Sequence, residues 1–205
     1  MRRFTLTILA AAIAAAPLVA APVKVDMPSG TYAVDPAHAS ITWRIKHFGL
    51  SNYTARFTKF TATVNLDAND LAKSTLAVTI DPNSVRTDYP FADKTDFDKE
   101  IAQDERFLNG AQFPESKFVS TGIVATGPKT GKLTGNLTMR GVTKPVTLDA
   151  KWNGGMASHP FMKIPVFGIS ATGTIKRSDF GMTYGAQALS DTVELQIEAE
   201  FQKAK

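Results

Sequence analysis

Three histidines, His38, His47 and His159, are the side chains of this 205-residue sequence best suited to acid–base or metal chemistry near neutral pH. There is no cysteine, so disulfides, thiolate metal sites and cysteine nucleophiles are all excluded. A histidine-only zinc site would need all three imidazoles in one place, and no metal ligand set is assigned. His38 follows Asp35-Pro36, a sequence that suits a side-chain-stabilised turn better than a general base. His47 continues the every-second-residue run Ile41, Trp43, Ile45 and so shares their face. That placement leaves three uses for it: a hydrogen-bonded residue that helps close the fold, a contact for the headgroup of an enclosed ligand, or a general base.

Other motifs carry less. Serines are plentiful, but no G-x-S-x-G elbow is present to activate one. Gly127-Pro128-Lys129-Thr130-Gly131-Lys132 is one residue short of a phosphate loop, and Leu133 stands where the magnesium-binding hydroxyl would be. Asp93, Asp96, Glu100 and Asp104 fall on one helical face, but Lys94 and Lys99 interleave, as on a solvated surface. Asn52-Tyr53-Thr54 and Asn136-Leu137-Thr138 match a glycosylation pattern too short to carry weight. No catalytic residue is assigned.

The elements that would have to position these residues are strands. Strict alternation sets Ile41, Trp43, Ile45 and His47 against Thr42, Arg44 and Lys46; Leu76, Val78 and Ile80 against Thr75, Ala77 and Thr79; and Leu133, Gly135, Leu137 and Met139 against Lys132, Thr134, Asn136 and Thr138. The same pattern runs through Val146, Leu148, Ala150 and Trp152, and through Val193, Leu195, Ile197, Ala199 and Phe201. Segments 117–125 and 168–176 are further strand candidates. One-sided burial favours antiparallel pairing. Between Thr54 and Leu66 the apolar phase flips, from Ala55 and Phe57 to Phe60, Ala62, Val64 and Leu66, which predicts a bulge in a continuous strand. Asp93 to Leu108 carries Phe97, Ile101 and Leu108 at helical spacing and predicts one helical excursion, ended by Phe113-Pro114. Residues 128–131 read as a hairpin turn and Gly154-Gly155 as a loop. The fold class is therefore all-β: a closed antiparallel barrel of about eight strands, which removes exposed edges. Such a barrel is either filled by side chains or holds one small ligand.

Arg2 and Arg3 precede an uncharged run from Phe4 to Ala16, with small residues at Ala20 and Ala21. This is the pattern of a secretory signal peptide over residues 1–20, followed by a single domain over 21–205. Losing the two arginines lowers the formal charge of +4 by two units and leaves no footprint for nucleic acid.

Several stretches resemble one family. Val34-Asp35-Pro36-Ala37-His38-Ala39-Ser40-Ile41 is similar to its opening motif, and Lys46-His47-Phe48-Gly49 and Arg56-Phe57-Thr58-Lys59-Phe60 follow at family spacing. Phe107-Leu108-Asn109-Gly110, Phe113-Pro114, the run from Gly135 to Pro145, Arg177-Ser178-Asp179-Phe180-Gly181-Met182 and Ser190-Asp191-Thr192-Val193 continue the match. In order and spacing they resemble the YceI-like family of secreted bacterial polyisoprenoid-binding proteins, from about Tyr32 to Phe201. The resemblance implies a lipocalin-like barrel with an apolar tunnel, and an isoprenoid lipid as ligand, such as ubiquinone or polyprenyl phosphate. It also implies a periplasmic carrier, with no other cofactor, transient contact with a membrane or membrane protein, and room for a homodimer. The expected lining combines the inward phase (Trp43, Ile45, His47, Phe57, Leu76, Val78, Ile80, Leu137, Met139, Leu148) with Phe97, Phe107, Phe118, Phe180 and Met182. Two other functions compete with a carrier: a lipid hydrolase or isomerase using His47 or His38, and a ligand-free stress or interaction protein with a packed barrel.

Overall fold

The computed structural model describes residues 23–204; the expected signal peptide lies outside the described residues. In chain order the elements are β1 (Gly30–His47), β2 (Ser51–Phe57), β3 (Phe60–Leu66), β4 (Thr75–Ile80), β5 (Val85–Arg86), helix α1 (Phe97–Gln103), β6 (Ser116–Ala125), β7 (Thr130–Met139), β8 (Val142–Met156), β9 (Val166–Lys176) and β10 (Leu189–Lys203). Every strand pairing is antiparallel. The ring β1-β3-β4-β6-β7-β8-β9-β10 closes through β10 back onto β1, giving an eight-stranded barrel; β2 and β5 extend the wall beside it. The alternation read from the sequence is the inside–outside alternation of this wall. Leu133, Gly135, Leu137 and Met139 are all buried, while Lys132 and Asn136 between them are exposed.

β1 is the pivot. Its first residues, 30–33, pair with β3, and residues 41–47 pair with β2. The phase flip between Phe57 and Phe60 is therefore not a bulge in one continuous strand. Thr58 and Lys59 separate two strands, and each takes its own stretch of β1 as neighbour. The bulge sits instead in β1, where Val34 pairs with Phe201 and Ala39 with Ala199, so that three extra residues are accommodated on β1. Asp35 stabilises that excursion: its carboxylate accepts from the Ala37 amide at 2.9 Å, contacts His38 Nδ1 at 2.9 Å and accepts from Gln202 Nε2 at 2.6 Å.

Gly154 and Gly155 also differ from the sequence expectation. They lie inside β8, at a register shift against β9, rather than in a loop. Glycine is required elsewhere for close packing: a Cβ on the inward-facing Gly135 would lie 2.3 Å from the Phe118 ring. The helical excursion is present but short, seven residues, capped by Asp96 accepting from the Lys99 amide at 3.0 Å.

The two ends of the barrel are built differently. At one end the β1–β2 tip, the segment from Thr87 to Glu115 carrying α1, the Arg140-Gly141 turn and the 3₁₀ turn Arg177–Phe180 all gather. Phe180, 1% exposed, plugs this end. Arg177 is buried beside it and donates to the carbonyls of Ser190, Met182, Tyr184 and Leu189 at 3.0, 2.9, 2.6 and 3.3 Å. The other end carries the β3–β4, β6–β7 and β8–β9 connections and the start of the described chain.

Candidate ligand cavity in the barrel

The second end is open. β4 and β6 pair only from Ala77 to Ile80 and from Ser116 to Val119, so the strands part beyond that point. The opening is a slot over a cavity of about 730 Å³. This lies within the roughly 300–1,000 Å³ typical of small-molecule sites. Its wall is made by inward residues: Val64 and Leu66 of β3, Leu76 of β4, Ile123 of β6, Leu133 of β7, Ala150 and Trp152 of β8, and Phe167 and Ile169 of β9. Val23 and Val25 cross the mouth, held by Leu71 N to Val23 O at 3.0 Å and Val25 N to Ala68 O at 2.9 Å. An aromatic stack forms part of the wall: Trp152 lies on Phe167 at 4.8 Å, Phe167 on Phe201 at 5.2 Å, and Tyr32 meets Phe167 edge-on at 4.9 Å. Burial raises the Tyr32 hydroxyl above the ordinary phenol range, and it donates to Pro28 O at 2.6 Å.

Beyond the cavity the interior continues toward the plugged end. Leu76 and Val78 touch both apolar clusters of the barrel, and Trp43, Leu195, Ile197 and Ile175 pack against the second cluster while remaining only partly buried. Two polar atoms in this region are buried without a hydrogen-bond partner, Trp43 Nε1 and Tyr53 Oη.

The residues expected to line a tunnel divide into groups. Of these, only Leu76 lines the cavity directly. Trp43, Phe57, Val78, Phe118, Leu137, Met139, Leu148, Phe180 and Met182 belong to the cluster on the plugged side, where Phe180 is solid packing. Ile45 is buried and Ile80 half-buried, and neither joins either cluster. Phe97 packs on Tyr53 and Tyr89, and Phe107 on Tyr184, and neither phenylalanine joins either cluster. His47 corrects the expectation of an inward imidazole: it is exposed, with its ring edge-on to Phe48 at 4.7 Å. His47 keeps the phase of Ile45, since β1 stays in regular register with β2 through the His47–Ser51 pair, but it is the last residue of β1, where β10 bulges away between Val193 and Leu189. The reading of the sequence missed Val64, Leu66, Ile123, Leu133, Ala150, Trp152, Phe167 and Ile169 as cavity residues. Most share the inward phase of their strands; what alternation does not show is where the neighbouring strands part.

His38 serves the β1 excursion. The Asp35 hydrogen bond raises its pKa, with the charges of Asp35 and Glu200 adding to the effect, and Asp35 is lowered in turn. Asp35, His38 and Glu200 bring their ligand atoms within 4.8 Å of one another, on the outside of the wall. A groove of about 960 Å³ follows the gap where β1 leaves β3; Arg56, Lys59, Asp81 and Glu115 line it with charge, which suits water rather than an apolar chain.

A YceI-like domain model matches residues 32–201, nearly all of the described chain. The chain belongs to the YceI-like family. A UPF0312 protein of Pseudomonas putida is 37% identical over 168 residues, covering 82% of this chain and 83% of that protein. Among solved structures, BcnA of Burkholderia cenocepacia superposes with a TM-score of 0.70 at 22% identity, over 82% of this chain and 98% of BcnA. A polyisoprenoid-binding domain from Saccharophagus degradans superposes with a TM-score of 0.61 at 15% identity, over 84% and 98% of the two chains. At such identities these two structures establish a shared YceI-like barrel.

Proposed function

We propose that this YceI-like protein binds an isoprenoid-type lipid in its barrel and carries it through the bacterial periplasm. The observation that carries the reading is the apolar slot cavity itself, roofed by a wall that is polar outside and aliphatic or aromatic within. The polyisoprenoid-binding domain from Saccharophagus degradans, which has the same barrel, supports it. Burial from water favours a hydrocarbon by about 0.8 kcal/mol per CH₂, but a lipid starts in a bilayer. Transfer from membrane to cavity is close to balanced, and a balanced exchange suits a carrier. The open end fits transient contact with a bilayer: the β8–β9 loop presents Phe161, 88% exposed, beside Met162 and Lys163, and Lys129 and Lys151 stand at the slot.

A binding protein, not a catalyst, is the reading the site supports. His38 is engaged by Asp35 outside the wall, His47 is exposed, and neither lines the cavity. The test is a titration of lipid-stripped protein with a fluorescent long-chain isoprenoid, beside the variant Ala150→Phe, which fills the cavity from β8. Saturable binding by the parent and at least tenfold weaker binding by the variant, at unchanged melting temperature, is the expected result. Equal binding by both would place the lipid elsewhere.

A further inference from the structure

We infer that the open end of the barrel seats on an anionic bilayer surface, with Phe161 and Met162 of the β8–β9 loop inserted among the headgroups and the lysines of the rim on the lipid phosphates. The inference rests on the lipid-binding reading above and specifies the surface at which that lipid is exchanged and which way the barrel faces it. The β8–β9 hairpin stands taller than the β6–β7 turn beside it. Trp152 pairs with Ile169, and the ladder continues to Met156 and Val166, about 10–13 Å further along the strands. The β6–β7 turn ends at the lower level, where the Trp152 amide donates to Lys129 O at 2.8 Å. The loop at the top, residues 157–165, is held by its own hydrogen bonds. The His159 amide donates to Ile164 O at 2.8 Å, the Lys163 amide donates to His159 O at 2.9 Å, and His159 Nδ1 accepts from the Phe161 and Met162 amides at 3.3 Å each. Phe161 and Met162 are exposed on it, with Met156 exposed at its base. A loop ordered before contact loses less freedom when its apolar side chains enter an interface.

Charge decides the kind of surface. The connections gathered at the open end carry four exposed lysines, Lys24, Lys73, Lys129 and Lys163, against three aspartates. One of these, Asp70, is already paired with Lys73 at 3.4 Å. At the plugged end the segment from Thr87 to Glu115 alone carries eight acidic residues against three basic ones. The two ends are thus opposite in sign, and a negative surface attracts the open end and repels the plugged one. Apolar exposure does not choose between them, because the plugged end also presents Phe48 and Leu50 to solvent. The size of the raised tip favours lipid over protein. A stable protein interface takes roughly 20–30 residues a side, and the tip is nine residues, 157–165. Insertion into the headgroup boundary needs a depth of only about 5–10 Å, which the height of the hairpin supplies.

The test is co-sedimentation of lipid-stripped protein with vesicles of phosphatidylcholine alone and of phosphatidylcholine mixed with phosphatidylglycerol. The parent should bind the mixed vesicles, come off them as salt rises, and bind the neutral ones at least about tenfold more weakly, since each lysine at an anionic surface contributes about fivefold. Lys24→Gln combined with Lys163→Gln should weaken binding to the mixed vesicles by about tenfold or more, and Phe161→Ser by about fivefold or more. Phe48→Ser combined with Leu50→Ser strips exposed apolar surface from the plugged end and should change nothing. All these side chains are exposed, and an unchanged melting temperature checks that each variant is folded. Equal binding to both kinds of vesicle, binding insensitive to salt, or an equal loss from the plugged-end pair overturns the inference. So does a parent that binds neither vesicle, which would leave the raised loop to a protein partner. Titration with the fluorescent isoprenoid in the absence of vesicles separates this inference from the reading it rests on, and there Phe161→Ser should match the parent. If the parent takes up the isoprenoid but binds no vesicle, this inference alone fails; if it binds the mixed vesicles but no isoprenoid, the lipid-binding reading fails and the docking surface stands.

Discussion

The plugged end and the open end of this barrel are made from the same alternating strands, yet one is solid and the other hollow. At the plugged end, chain inserted between the strands supplies a fully buried phenylalanine, Phe180, and an arginine that gathers four carbonyls. At the open end β4 and β6 part, and among the described residues nothing comparable fills the space between Leu76, Ile123 and Trp152. Residues of one inward phase thus do two jobs. Near the plug they provide stability; near the slot they provide a surface for something else to lie against. Whether a given inward residue is core or lining is decided by the connections, not by its strand.

Substitutions at the two ends should separate accordingly. The largest effect is expected from Arg177→Met. It leaves four carbonyls unserved and should lower unfolding stability by more than about 4 kcal/mol in a denaturant melt, enough to leave little folded protein. Phe180→Ala should follow, at about 3–5 kcal/mol, as a large buried ring is deleted from close packing. Ile123→Ala at the slot is the counterpart. Half-buried and facing a cavity, it should lower stability by about 1 kcal/mol or less while weakening retention of a long-chain lipid more than Phe180→Ala does. A stability loss at Ile123 as large as that at Phe180 would erase the contrast between the ends.

Two smaller effects probe the outside. His47→Ala should change stability by less than about 0.5 kcal/mol, as for an ordinary exposed residue, and leave binding unaltered in the same titrations. His38 should titrate above the ordinary histidine range by NMR, and Asp35→Asn should bring it back down. The sign follows from both shifts. His38 is raised, so its pairing contributes below the free histidine pKa and fades as pH rises through the folded value. Asp35 is lowered, so its share is present above the free carboxylate pKa and fades as pH falls through the folded value. The pair is thus strongest in mildly acidic solution.

The wall of the barrel was legible in the sequence because side chains alternate with period two whatever the strand pairs with. Leu133, Leu137, Val146 and Leu148 were placed correctly on that ground. Closure was legible from the number of one-sided strands. The β1 excursion at Asp35–His38 was legible as a stabilised turn, but not as a bulge, because its size depends on the β10 register. The division of labour at β1 was not legible at all. A phase flip between Phe57 and Phe60 looks the same for one bulged strand as for two strands that take different neighbours. His47 was misplaced because alternation gives a residue's face but not where the strand ends: it shares the face of Ile45 and is the exposed last residue of β1. The cavity residues share their phase with the core, and only the parting of β4 from β6 distinguishes them. The unpartnered Trp43 and Tyr53 atoms depend on what does not surround them, which a linear pattern does not encode.

The central claim is that the hollow end holds an apolar chain. The direct measurement is native mass spectrometry of the protein purified from periplasm without detergent, beside Ala150→Phe prepared in the same way. The account predicts a second species in the parent, heavier by one lipid whose fragments differ by isoprene units, and its loss from the variant. A bare chain in the parent, or the same adduct in both proteins, would contradict it.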